Sequence, residues 1–168
     1  LYTRNKMIHG KTAFQRRKAY TDRRRYMNLF DIVGPVMVGP SSSHTAGAVR
    51  IGQVSRHLLG ESVKEAKILL HGSFLATGKG HGTDKALVAG LLGMAADDIR
   101  IPDSFDIAKE SGVKFEIGKI QLKNAHPNSV KLLLVGESGR NLEIVACSLG
   151  GGRIKICTID GLEANFSG

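Results

Sequence analysis

Three stretches of this chain set groups that move protons or grip anions beside glycine. In "GPSSSHTAGAVRIG" (39–52), Ser41, Ser42 and Ser43 run directly into His44 and Thr45. In "ATGKGHGTD" (76–84), Lys79, His81 and Asp84 alternate with glycines. In "NAHPNSV" (124–130), His126 and Asn128 flank Pro127. Imidazole titrates near neutrality, so each histidine is a candidate proton carrier or anion partner.

The first stretch reads as a helix entrance. Unpaired N–H groups and the helix dipole draw carboxylates and phosphates to such an end. Serine hydroxyls add donors there, and Gly39, Pro40 and Gly47 let the backbone come close to a guest. The chemistry implied is a pocket for a small anion, a carboxylate first. Simple N-capping by one serine, with the others solvated, is the competing reading, and the residues alone leave both open.

The second stretch suggests nucleotide binding and then fails its spacing. A phosphate-binding P-loop needs four residues between its glycine and Gly-Lys, then Ser or Thr. Here five separate Gly72 from Gly78, and Gly80 follows Lys79. Gly78, Gly80 and Gly82 give G-x-G-x-G, with Thr83 where a dinucleotide fingerprint requires glycine. What remains is a lysine and a histidine on a flexible substrate-contacting loop. The third stretch reads as a Pro-restricted turn between strands, from which His126 and Asn128 reach a ligand or another subunit.

Other reactive groups rank lower. His57 falls on the predicted helix, half exposed; His71 ends a predicted strand as a core or supporting group; His9 lies in the N-terminal segment. Cys147 and Cys157 are the only cysteines and read as buried thiols on neighbouring strands. Structural zinc sites typically want four Cys/His ligands and iron–sulfur clusters three or four cysteines, so this chain supplies no metal site alone.

The positioning elements follow from pattern. Residues 28–39 read as a short strand. Gly47, Ile51, Val54 and Leu58 recur at helical spacing from Thr45, with Ser43 or Thr45 as N-cap and Gly60 as stop. Residues 63–74 read as a buried strand, 76–84 as a loop, 85–94 as a helix capped by Thr83 or Asp84, and 103–111 as a short helix. Four short runs follow at 113–122, 129–138, 140–149 and 153–161, separated by turn residues, and the ending "LEANFSG" carries little signal. The expectation is an α+β domain: an antiparallel β-sheet with helices packed mainly on one face.

Composition sets the outer limits. The 168 residues are 42% hydrophobic and suit one domain with a real core. No apolar run reaches the roughly 18 residues of a membrane span, and no signal-peptide stretch is visible. With only two cysteines, a cytoplasmic protein is expected. The net charge of +9 is concentrated at the start: residues 1–26 hold nine Lys/Arg and one acid, Asp22. The remainder is nearly neutral and aromatics are 5%, which argues against nucleic acid as a partner. The basic segment reads as a solvated extension or, through Arg23-Arg24-Arg25 just before Met27, as upstream sequence translated in frame. Domain organisation is thus 1–26 extension and 27–168 domain.

"FDIVGPVMVGPSSSHTAGAVRIG", "TGKGHGTD" and "HPN", in that order, resemble the β subunit or β domain of bacterial iron–sulfur-dependent L-serine dehydratase. The likeness runs from about Phe30 to Gly161. It implies a separate α subunit carrying a [4Fe-4S] cluster, conversion of L-serine to pyruvate and ammonia in serine catabolism and gluconeogenesis, and further homodimerisation. It also implies a fold like the allosteric substrate-binding domain of some phosphoglycerate dehydrogenases. The family's ACT domain is not in this sequence. Carried onto matching positions, His44, His81 and His126 become catalytic candidates, with His81 slightly favoured as base. Ser41, Ser42, Ser43, Thr45, Lys79 and Asn128 become substrate-orienting groups. The rival reading is a non-catalytic serine-binding module that regulates its partner. If translation starts at Met27, the intact mass of the native protein lacks residues 1–26; a mass that includes them overturns this expectation.

Overall fold

The computed structural model describes residues 41–167. The basic segment 1–26 and the expected strand over 28–39 lie outside the described residues, as do the side chains of Ser42, Lys79 and His81. A π-helical turn, Ser42–Ala46, leads into helix α1, Gly47–Leu59. Its predicted spacing is borne out: Ile51 is fully buried, and Val54 and Leu58 pack against the core. Gly60 stops it in the left-handed region at φ 78°. The N-terminus differs from expectation. Neither Ser43 nor Thr45 caps it; Ser41 does the work, its carbonyl accepting from Thr45 N–H at 2.8 Å and its Oγ from His44 N–H at 3.3 Å.

Strand β1, Val63–Leu70, ends four residues before the expected limit. Gly72 takes φ 55°, a left-handed value that breaks a strand, and opens helix α2, Gly72–His81. The stretch expected as a flexible loop over 76–84 is therefore mostly helical. Glycine content lowers its intrinsic helix propensity, but tertiary contacts override that: Phe74 is fully buried, and Gly78 lies against Leu70. Gly82, at φ 68°, is a joint into helix α3, Thr83–Leu91. Gly82 occupies the cap position expected for Thr83 or Asp84, and no side chain caps this helix. A 3-10 turn, Ile101–Asp103, then precedes helix α4, Ser104–Glu110, close to its predicted place.

The rest is sheet: β2 Lys114–Lys119, β3 Ser129–Gly136, β4 Asn141–Gly150, β5 Arg153–Ile159 and β6 Leu162–Ser167. Order across the sheet is β2-β1-β3-β4-β5-β6. Strands β3 to β5 form an antiparallel meander as expected and β6 extends it, while β2, expected as the first strand of that meander, instead joins the far edge parallel to β1. The α+β expectation stands, with one parallel pair added. Alternating residues Ala66, Ile68, Leu70, Val130, Leu132, Leu134, Leu142, Ile144, Ala146, Ile154 and Ile156 are buried on the face that the helices cover, α1 over β4 and β5 and α2 over β1 and β3. The other face carries ion pairs, Lys67–Glu116 at 3.3 Å, Lys114–Glu65 at 3.5 Å and Lys131–Glu143 at 2.8 Å.

Helices α1 and α3 cross at two glycines. A methyl on Gly52 would meet Leu87 O at 2.5 Å and Leu91 N at 2.8 Å, and one on Gly90 would strike Val49 O. Gln53 Nε2 and Arg56 Nη1 then donate to Met94 O and Leu91 O across the same contact. Gly52→Ala is expected to cost about 1–3 kcal/mol by forcing the helices apart. In thermal denaturation that is a drop of roughly 2–4 °C for each kcal/mol; an unchanged midpoint contradicts this contact.

Candidate functional site

His44 is held by its own turn. Its Nδ1 lies 3.1 Å from both Ser41 Oγ and Ser43 Oγ, which are 3.2 Å from each other. Its ring packs against Phe74 of α2, with centroids 5.6 Å apart and planes at 58°. The half-buried imidazole therefore has one nitrogen fixed by hydroxyls and one face fixed by a buried aromatic. When Nδ1 carries the proton and donates to a serine oxygen, Nε2 is the basic nitrogen.

The turn bearing His126 docks on the same end of α2. Pro127 O accepts from Ser73 N–H at 2.8 Å, one residue before Phe74. Gly72 makes this approach feasible, because a Cβ there would sit 2.5 Å from Pro127 O. Asn128 O accepts from Ser148 N–H at 3.0 Å, and Ser129 Oγ donates to His126 O at 2.6 Å. His71, the residue before α2, donates its N–H to Ser129 O at 3.0 Å and accepts from Leu122 N–H at its Nδ1, 3.3 Å away. That is the supporting role expected for it.

The structure thus brings the first and third motifs to consecutive residues of one helix end. It does not bring every imidazole there. His126 is exposed, its Nδ1 accepts from Asn128 N–H at 3.1 Å, and its ring lines a cleft on the sheet face opposite the helices. Lys79 and His81 belong to the other end of α2. His81 is seven residues beyond Phe74, or about 10 Å along a helix axis, and the side chains of both lie outside the described residues.

Three hydroxyls near the turn went largely unread in the sequence. The π-turn packs against α2, α3 and β4. Thr45, Thr83 and Ser148, on the turn, on α3 and on β4, are at most 3% exposed, and their hydroxyl oxygens have no hydrogen-bond partner. Each such group costs about 1–3 kcal/mol of desolvation. Thr45 was singled out for substrate and Thr83 as a cap. Ser148 carries a signal only in retrospect: strand alternation with Leu142, Ile144 and Ala146 sends it to the helix-covered face.

Cys147 is buried and Cys157 half-buried; both are free. Burial pushes the Cys147 thiol up to about 11, helped by Cys157 beside it and opposed by the Lys155 ammonium. Among the described residues, no three His, Cys, Asp or Glu side chains gather as a metal site.

Comparison with known proteins places this architecture. The family model for the serine dehydratase beta chain matches residues 27–157. The chain is 45% identical over 142 residues to the L-serine dehydratase beta chain of Peptoniphilus asaccharolyticus, covering 84% of this chain and 64% of that protein. It is 44% identical over 144 residues to a Bacillus subtilis (strain 168) protein named probable L-serine dehydratase, beta chain, covering 86% and 65%. L-serine dehydratase 2 of Escherichia coli (strain K12) is 38% identical over 87 residues, 48% of this chain and 17% of that one. The chain belongs to the serine dehydratase beta chain family. It spans just under two thirds of the length of the beta chains it matches.

The joint at Gly72 gives a direct test. Gly72→Ala adds strain at positive φ and pushes Pro127 O away, so hydrogen exchange at the Ser73 amide should accelerate. Gly112→Ala is the control. Gly112 has φ 75° but nothing within 4 Å of an added Cβ, so it should lose stability without that local acceleration.

Proposed function

We propose that this chain is the β subunit of an iron–sulfur L-serine dehydratase, deaminating L-serine to pyruvate and ammonia in the cytoplasm, with a cluster-bearing α subunit. A homodimer of such pairs completes the assembly in this reading. The single observation that carries the role of this chain is His44, oriented by two serines and Phe74 at a helix entrance, in a chain 45% identical to an L-serine dehydratase beta chain.

The cysteines here do not fit a [4Fe-4S] cluster. There are two where three or four are required, and Cys147 is held as a neutral thiol. The cluster is therefore assigned to the partner, and no step is routed through it here.

Serine dehydration removes the Cα proton and the β-hydroxyl. The enamine formed tautomerises to an imine, whose hydrolysis gives pyruvate and ammonia. In our reading His44 Nε2 takes the Cα proton, while the hydroxyls of Ser41 and Ser43 hold the ring in the working tautomer. Ser42, Thr45 and the backbone N–H groups of the turn orient the carboxylate. Asn128, anchored through its carbonyl on β4, and Lys79 contribute further polar contacts in this reading, while His126, at the cleft on the opposite sheet face, takes no part in the step. His81, on the glycine-rich motif, is the second candidate for the base.

His44→Asn in the complex purified anaerobically with its α subunit should lower kcat by about 100-fold or more, the usual contribution of a general base. Cluster absorbance and serine binding should persist. Full activity with altered cooperativity would favour the regulatory reading instead, and a comparable loss in His81→Asn alone would transfer the role of base to His81.

A further inference from the structure

The sheet face that no helix covers is divided in character. Toward β2 and β1 it is an ion-pair surface, in which Lys67, Lys114 and Lys131 each have a carboxylate partner. Toward β4 and β5 it becomes a cleft of about 700 Å³. Val145, Cys147 and Leu149 form its apolar floor, and Leu149 is 43% exposed. Register puts Lys155 directly opposite Cys147, so its side chain belongs to this same face. Lys155 makes no ion pair among the described residues, although it is only half exposed. Lys123 and His126 add basic groups at the rim, and the acid of the cleft, Glu163, lies on exposed β6.

We propose that this cleft is a binding site for a small organic carboxylate with a short apolar body, separate from the His44 site. The size is that of a small-molecule pocket. An ammonium beside an apolar floor, engaged in no ion pair among the described residues, favours a ligand that brings both a carboxylate for Lys155 and methyl or methylene surface for Val145 and Leu149. The wall of the cleft is the loop that also supplies Pro127 O to α2 and Asn128 O to β4. A ligand seated there steadies the segment on which the His44 site leans, which makes the cleft an effector site by position.

Cys157 lines the cleft and is a built-in reporter, while Cys147 is buried with its thiol pushed up to about 11 and alkylates slowly. The test is iodoacetamide labelling of Cys157 in the full chain, read by peptide mass spectrometry, with propionate, propionamide or chloride added, the two salts at equal ionic strength. Propionate should slow labelling severalfold at millimolar concentration, and propionamide and chloride should not. Lys155→Gln should abolish the protection and Lys155→Arg should keep it. Equal protection by propionamide or chloride overturns the carboxylate assignment, as does protection that survives in Lys155→Gln. If Lys155→Gln fails to fold, the three additives on the unaltered chain still decide. The labelling is repeated on the complex with the α subunit: Cys157 already shielded there without propionate would make the face a subunit contact and overturn the proposal. No turnover is measured, so failure here leaves the dehydratase reading intact, and an inactive complex leaves this one intact.

Discussion

Everything placed near the candidate site depends on how α2 begins. At Gly72 the chain leaves a buried strand and enters a helix within two residues, which a left-handed φ of 55° allows. The absence of a Cβ there also admits Pro127 O, and the amide of Ser73 is then positioned to donate to it. One residue later Phe74 is fully buried and offers its ring to His44. Residues more than 80 apart in sequence thus meet on three consecutive positions, through a backbone hydrogen bond, a ring contact and a missing methyl. None of these is a strong interaction alone. Their value lies in fixing the imidazole and the neighbouring turn against one rigid element.

The sheet supplies the rigidity. Four of its strands are central and are covered by α1 and α2, and α1 in turn packs on α3 closely enough to require Gly52 and Gly90. The candidate site sits at the end of the sheet where β1 and β4 finish and β3 begins. There His71 N–H bonds Ser129 O and Ser148 N–H bonds Asn128 O, so the loop before β3 is tied on both sides. A loop tied in this manner presents Asn128 with little freedom, which suits a positioning group better than a gate.

The legible parts of the sequence were those with local periodicity. α1, α4 and the meander β3 to β5 follow from spacing and glycine stops, because their burial patterns are regular. β6 was missed since an exposed edge strand has no apolar alternation to read. The parallel pairing of β2 with β1 was missed for another reason: a strand's own residues do not say which edge it joins. The 76–84 stretch was misread because glycine was weighed as freedom, whereas Gly78 is a packing position against Leu70 and only Gly82 acts as a hinge-like joint. At the site, the sequence pointed to His44 and its serines but assigned the capping to Ser43 or Thr45. Which of several adjacent hydroxyls caps a turn depends on its handedness and width, and a π-turn shifts the donor geometry by a residue.

That shift has a chemical consequence. With Ser41 satisfying the turn and Ser43 turned toward His44, Thr45 is left buried with an unused hydroxyl, and Thr83 and Ser148 share its state on the elements packed around it. A fold that only needed stability would replace such groups with alanine or valine at a gain, since each idle hydroxyl is a cost. Ser55, idle in the middle of α1, shows that one such group is tolerated without a site nearby. Three around a single turn, beside an oriented imidazole and the amides of a helix start, form a set of donors already desolvated and fixed before anything arrives. Donors of that kind act most strongly on a carboxylate, because they need not reorganise when the charge appears. Such an arrangement suits an anionic guest better than a neutral one.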